Sequence, residues 1–163
     1  MARFVKSLLL LVILGYGIYP YYTVYRIDVA LSKPEAKALL PYLNLPAIRA
    51  GYKQRLGGAV DSFVPRGDSE ADRALGWLAD NLQRLGDTAL DQVITLDWVR
   101  KQMQDAAARG AVQRSANFIS GIDFAFFESW DRFVIRLGRL GEDETYIVLT
   151  LEGTEWKVTD VIR

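Results

Sequence analysis

A few acidic side chains around one tryptophan are the part of the sequence best suited to do chemistry. Asp123 lies within an apolar run, where a carboxylate could serve as a general acid or base on the floor of a pocket. Glu128 and Asp131 flank Trp130, and two carboxylates this close could bind a cation or act on a sugar. We therefore treat Asp123, Glu128 and Trp130 as a candidate pocket.

The same residues also have a purely structural interpretation. Successive side chains of a strand point to opposite faces, so Asp123 can be solvated on the face opposite to that of Phe124. Glu128 and Asp131 would then belong to a polar turn at a strand junction, beside Trp130 in the core. The sequence favours this structural interpretation, because nothing in it indicates that the carboxylates converge.

The residue types that the chain lacks narrow its chemistry further. There is no histidine and no cysteine, which excludes a Ser-His-Asp triad, imidazole or thiolate metal ligands, a thiol nucleophile and disulfides. The 20 basic and 20 acidic side chains balance to a formal charge of zero and are scattered along the chain, so no clustered basic face for nucleic acid is expected. We predict a non-enzymatic protein without a catalytic residue, a cofactor, a metal or a nucleic-acid partner.

The N-terminal segment predicts where the protein lies in the cell. Residues 7–25 contain no charged side chain, and as a helix they would rise about 28 Å, close to the ~30 Å hydrocarbon core of a bilayer. Arg3 and Lys6 precede this run, and Pro20 could kink or end it. Aromatic rings able to meet the headgroup zone crowd its second half: Tyr16, Tyr19, Tyr21, Tyr22 and Tyr25.

We predict that residues 1–25 form an uncleaved anchor and that the lipid bilayer is a partner of this helix. A cleaved signal peptide and a buried helix of a soluble domain are the alternatives. A short basic N-terminus normally stays in the cytoplasm, and long domains are translocated largely regardless of charge. We therefore expect a single-pass protein of the bacterial inner membrane, with residues 26–163 as one domain facing the periplasm and an envelope protein as a candidate partner.

The pattern after the anchor predicts an α+β domain, with helices over about residues 26–110 and strands over about residues 115–163. Asn44 and Thr95 are expected to cap helices, the first of them ending at Gly57-Gly58, and residues 70–85 carry an apolar stripe at helical spacing. Four segments then alternate with period two and are joined by short turns. The expected fold is several helices packed on a C-terminal four-stranded antiparallel sheet, with Trp156 in the core.

Short motifs in the placed segments resemble a bacterial family, the domain of unknown function 2939. Residues 39–49 are similar to its capped "VDFPAVR" segment, with Asn44 where Asp is usual, and residues 93–99 are similar to a "VTPEGV" stretch, with Leu96 replacing the proline. Residues 127–133 and 155–160 complete the resemblance. It implies a small membrane-tethered domain and carries no activity or catalytic residue with it.

The predicted helices on a curved sheet also resemble the cone-shaped domains of the nuclear-transport-factor-two type, which include isomerases, dehydratases and non-catalytic modules. Three functions are therefore compared, of which the third is a tether facing the cytoplasm that only membrane topology separates from the first. The first is a membrane-anchored, non-enzymatic binding or assembly module facing the periplasm. The second is a cone-fold enzyme with Asp123 as general base, which would need a concave pocket containing Asp123 and another polar group.

Overall fold

The computed structural model of the protein describes residues 2–63, 91–111, 117–139, 141 and 144–162. Its elements confirm an α+β fold in which helices precede an antiparallel sheet. The helices are α1 (Ala2–Leu31), a 3₁₀ helix (Ala36–Tyr42), α2 (Leu45–Phe63), α3 (Leu96–Gly110) and a second 3₁₀ helix (Ile119–Gly121). The strands are β1 (Ile122–Ser129), β2 (Arg132–Leu137), β3 (Thr145–Glu152) and β4 (Glu155–Ile162).

The four strands form an antiparallel meander in the order β1-β2-β3-β4, as the alternating pattern predicts. Two tight turns, at Trp130-Asp131 between β1 and β2 and at Gly153-Thr154 between β3 and β4, lie at the same end of the sheet. We call this end the turn end. The backbone bond from the Leu151 N–H to the Asp131 carbonyl (2.8 Å) ties the first turn to β3, and a positive φ at Gly153 (65°) lets the second turn close.

One face of the sheet, which we call the inner face, is covered by helices and forms the core. Phe133 and Trp156 are its largest fully buried side chains, and Ile27 of α1, Ile48 of α2 and Met103 of α3 belong to the same buried cluster. Trp156 is 1% exposed, which confirms the position predicted for it. A large aromatic residue of the last strand therefore packs in one core with all three helices.

The predicted helix caps are present, but one predicted helix end is wrong. The Asn44 side chain accepts a bond from the Ala47 N–H (3.0 Å), and Thr95 does the same for Trp98 (3.2 Å). However, α2 continues through Gly57-Gly58 to Phe63, because glycine weakens a helix without forcing it to end. The predicted helix over residues 70–85 lies outside the described residues.

Glycine allows α3 to approach the backbone beside the sheet closely. A β-carbon on Gly121 would lie 2.6 Å from the backbone of Ala107, and one on Gly110 would lie 2.4 Å from the Gly121 carbonyl. Neither distance is possible for a real side chain, so the two backbones pack directly on each other. This contact fixes α3 against the start of β1.

Candidate functional site

The structure does not bring the three predicted pocket residues together. Asp123 lies near the start of β1 and Trp130 lies just beyond its end, which at about 3.3 Å per residue separates their backbones by roughly 23 Å. Asp123 forms an ion pair with Arg136, and Glu128 forms one with Arg132. The Arg136 guanidinium donates to Asp123 Oδ2 (3.1 Å), and this bond raises the pKa of Arg136. Each carboxylate thus has its own arginine at its own end of β1.

Trp130 is the most exposed tryptophan that the structure describes, with 73% of its surface accessible. It lies in the turn between β1 and β2, so the prediction that Trp130 lies in the core is wrong. The neighbouring Asp131 carboxylate accepts a bond from the Ser129 hydroxyl (2.7 Å), which closes the turn locally. The turn end of the sheet therefore presents a large aromatic ring to its surroundings.

The inner face of the sheet, where a cone-fold enzyme would have its pocket, is filled by the protein's own side chains. Phe127, Phe133 and Trp156 contact one another with ring centroids 5.1 to 6.4 Å apart. Tyr16 of α1 stacks on Phe127 (6.0 Å), and Tyr21 meets Phe133 edge-on (4.9 Å). The second half of α1 therefore closes this face with a cluster of aromatic rings.

Helix α1 is one continuous helix with two different surroundings. Its apolar side chains from residue 4 to residue 14 are 52–73% exposed, whereas Pro20, Thr23, Val24 and Ile27 are buried. Pro20 neither ends nor interrupts the helix; it packs in the fold. As a whole, α1 is long and apolar enough to cross a membrane, but only its first half is free of contact with the sheet.

Tyrosine hydroxyls attach the middle of α1 to backbone carbonyls of the sheet. Tyr16 donates to the carbonyl of Trp130 and Tyr19 to that of Thr154 (2.9 Å). Both acceptors lie in the two turns of the turn end, and Tyr21 donates to Ala125 of β1 (3.3 Å). Three of the five tyrosines predicted to meet headgroups therefore contact the sheet. Tyr22 and Tyr25 lie on the exposed side of the helix.

An arginine–carboxylate pair that the sequence interpretation missed joins α2 to β4. The Arg55 guanidinium donates both to Asp160 Oδ2 (2.5 Å) and to Asp160 Oδ1 (2.8 Å), and these bonds raise its pKa. Arg55 also lies over the Tyr52 ring (4.6 Å), which meets Trp98 edge-on (5.2 Å), and burial raises the pKa of the Tyr52 phenol. Bidentate geometry is the strong form of such a pair, and here it fastens a helix.

A cavity of about 240 Å³ lies where the end of α1 meets α3. The Arg100 guanidinium donates to the carbonyls of Lys33 and of Pro34 (2.6 Å), and the Gln104 amide donates to that of Leu31 (3.1 Å). Carbonyls at a helix C-terminus need such donors. The polar groups of this cavity therefore hold the end of α1.

The described residues contain no group of three or more acidic side chains placed to hold a metal ion. A family model for a protein of unknown function (DUF2939) matches residues 9–103, from the apolar part of α1 to the middle of α3. No curated protein and no solved structure matches the chain, so the resemblance to cone-shaped domains of the nuclear-transport-factor-two type is not confirmed.

Proposed function

This chain belongs to the DUF2939 family of proteins of unknown function, and we propose that it is a membrane-anchored, non-enzymatic binding or assembly module. In this proposal the first half of α1 lies in the bacterial inner membrane. The remaining chain forms a domain that faces the periplasm, where an envelope protein is its candidate partner. The first half of α1 holds the protein in the membrane, and the folded domain presents a surface for its partner.

The observation that carries the proposal is the contrast between a closed fold and an exposed apolar helix that leaves it. Residues 4–14 present large apolar side chains on every side of the helix, and a helix that is apolar all round belongs in a protein core or in lipid. The inner face of the sheet is packed with aromatic rings. This packing supports a module over an enzyme, which would need a cavity with converging polar groups.

The alternative, a cone-fold enzyme using Asp123, receives little support from the geometry. A general base must reach the proton that it removes, but Asp123 bonds Arg136 at an exposed strand position. If Asp123 has no part in catalysis, Asp123→Asn should leave the biological activity of the full chain unchanged. A deletion strain complemented equally by wild type and by Asp123→Asn would agree with the module, and complete loss of complementation with normal expression would favour the enzyme.

The membrane part of the proposal is tested by extraction and by a reporter. The full chain should float with membranes and resist alkaline carbonate, whereas a variant lacking residues 1–14 should be soluble. An alkaline phosphatase fused after Arg163 should be active, because this reporter works only on the periplasmic side. A fusion that is active only with a cytoplasmic reporter would instead mean that the domain faces the cytoplasm, and carbonate release of the full chain would contradict the anchor.

A further inference from the structure

We propose that the turn end of the sheet rests on the bilayer and that Trp130 inserts into its headgroup region. This inference rests on the proposed function, since it requires the first half of α1 to be in the membrane. It adds a second lipid contact made by the folded domain itself. The partner is a lipid surface, recognised by an aromatic ring at the level where the helix enters it.

The part of α1 available to the membrane is shorter than the hydrocarbon core is thick. The apolar side chains from Phe4 to Leu14 are exposed, and at about 1.5 Å per residue the helix from Arg3 to Gly15 rises roughly 20 Å, with the charged Arg3 and Lys6 at its far end. The hydrocarbon core is ~30 Å thick. A span that is too short thins the bilayer and draws its flanking groups to the surface. The flanking group on the domain side is the turn end of the sheet.

Hydrogen bonds from α1 fix the position of Trp130 relative to the helix. The Tyr16 hydroxyl donates to the Trp130 carbonyl, and Tyr19 donates to Thr154 in the neighbouring turn. Both tyrosines come directly after the exposed apolar stretch, so the two turns lie at the level where the helix would leave the hydrocarbon. Tryptophan and tyrosine are the residues enriched at that level. The exposed ring of Trp130 then has a partner in lipid.

The acidic side chains at the turn end all have partners. These four pairs are Glu128 with Arg132, Asp131 with Ser129, Glu152 with Asn44 and Glu155 with Lys157. Hydrogen-bonded or paired groups cost less to move toward a less polar region. The basic partners in these pairs are Arg132 and Lys157, two cations against four carboxylates, so the contact suits zwitterionic lipid better than an anionic surface.

A different orientation would place α1 flat on the bilayer. Ile18, Tyr22 and Tyr25 lie on the side of the helix away from the sheet and are exposed, so a flat helix would bury these side chains in the interface instead of Trp130. The two orientations predict opposite depths for positions 22 and 130. Depth in the membrane is therefore the quantity to measure.

The experiment uses the full chain reconstituted into phosphatidylcholine vesicles with brominated or with ordinary acyl chains, since bromine quenches tryptophan fluorescence at short range. Trp130→Phe is the matched control, because an exposed ring can be replaced with little effect on folding. We expect brominated lipid to reduce the emission of wild type more than that of Trp130→Phe. A third protein, Trp130→Phe with Tyr22→Trp, should show no more quenching than Trp130→Phe alone.

Equal quenching of wild type and Trp130→Phe would overturn the inference, because the turn end would then stand away from the lipid. Strong quenching at position 22 in the third protein would overturn it in favour of a flat helix. Both results leave the anchor intact, since the protein still floats with the vesicles. A full chain that does not float would contradict the proposed function as well, so the two failures are distinguishable.

Discussion

Both halves of α1 are largely apolar, but their surroundings differ. Residues 8–14 are all leucine, isoleucine or valine and are exposed, whereas the second half contacts the sheet through Tyr16, Tyr19 and Tyr21 and buries Pro20, Thr23, Val24 and Ile27. One uninterrupted helix thus has two environments. We propose lipid for its first half, and the structure places its second half against the protein core.

The difference teaches that apolar composition alone does not define a membrane segment. The sequence interpretation assigns residues 7–25 to the bilayer, because none of them is charged. The structure uses Tyr16, Tyr19 and Tyr21 as contacts to the sheet. A tyrosine suits both places, since its ring is apolar and its hydroxyl needs one polar partner, which a headgroup or a backbone carbonyl can supply.

The largest effect that we expect separates the two halves by truncation. Removing residues 1–14 should leave a soluble, cooperatively folding domain, whereas removing residues 1–25 should abolish folding. The longer deletion takes away the buried Pro20, Thr23 and Val24 and the ring contacts of Tyr16 with Phe127 and of Tyr21 with Phe133. The total stability of an ordinary domain is only about 5–15 kcal/mol, so the joint loss of these contacts should unfold it.

Circular dichroism melts of the two truncated proteins would measure this difference. If the protein lacking residues 1–25 unfolds in a sharp transition close to that of the protein lacking residues 1–14, the fold does not need the second half of α1. Loss of folding in both would mean instead that the exposed half is also part of the fold.

The second prediction compares two tryptophans, one in the core and one at the turn end. Trp156→Ala should lower the free energy of unfolding by about 3–5 kcal/mol, as for other large aromatic residues in cores. Trp130→Ala should change it by less than about 0.5 kcal/mol, because the ring is exposed. Denaturant melts of the full chain in detergent would compare them, and similar values for both would place Trp156 outside the core.

Much of the fold could be predicted from local signals. Asn44 and Thr95 precede helices as cap residues do, and both accept the expected backbone bond. The strands and the burial of Trp156 follow from alternation. Local signals fail where a choice depends on distant residues, as in the bidentate pair of Arg55 with Asp160, 105 positions apart.

The candidate site was harder to predict than the fold, because exposure cannot be read from residue type. The sequence interpretation placed Trp130 in the core, and the structure places it in an open turn. Asp123 and Glu128 each pair with an arginine of β2, and both lie at irregularities of the β1–β2 register, which alternation does not predict. A short motif does not show whether a ring in a turn is exposed or buried, or which charged side chain of the neighbouring strand lies within reach.

A third prediction tests the halves of α1 one side chain at a time. Ile27→Ala removes a fully buried side chain and should cost about 2–5 kcal/mol of unfolding free energy. Leu10→Ala, the matched change in the exposed half, should leave domain unfolding in detergent unchanged within about 0.5 kcal/mol. If Leu10→Ala proves as costly as Ile27→Ala, the first half packs on the domain, and the division of α1 proposed here does not hold.

The smallest effect concerns the hydroxyl that joins the helix to the second turn. Tyr19→Phe keeps the ring and removes only the bond to the Thr154 carbonyl (2.9 Å), which should lower the free energy of unfolding by about 0.5–1.5 kcal/mol. Tyr22→Phe is the matched control, because Tyr22 lies on the exposed side of the same helix.

The same hydroxyl also holds the turn between β3 and β4. Because Tyr19 donates to the carbonyl of Thr154 in this turn, loss of the bond should loosen the turn. Hydrogen exchange of the Gly153-Thr154 amides should therefore rise in Tyr19→Phe and not in Tyr22→Phe. Equal behaviour of the two variants would show that the turn end is held by the aromatic packing alone.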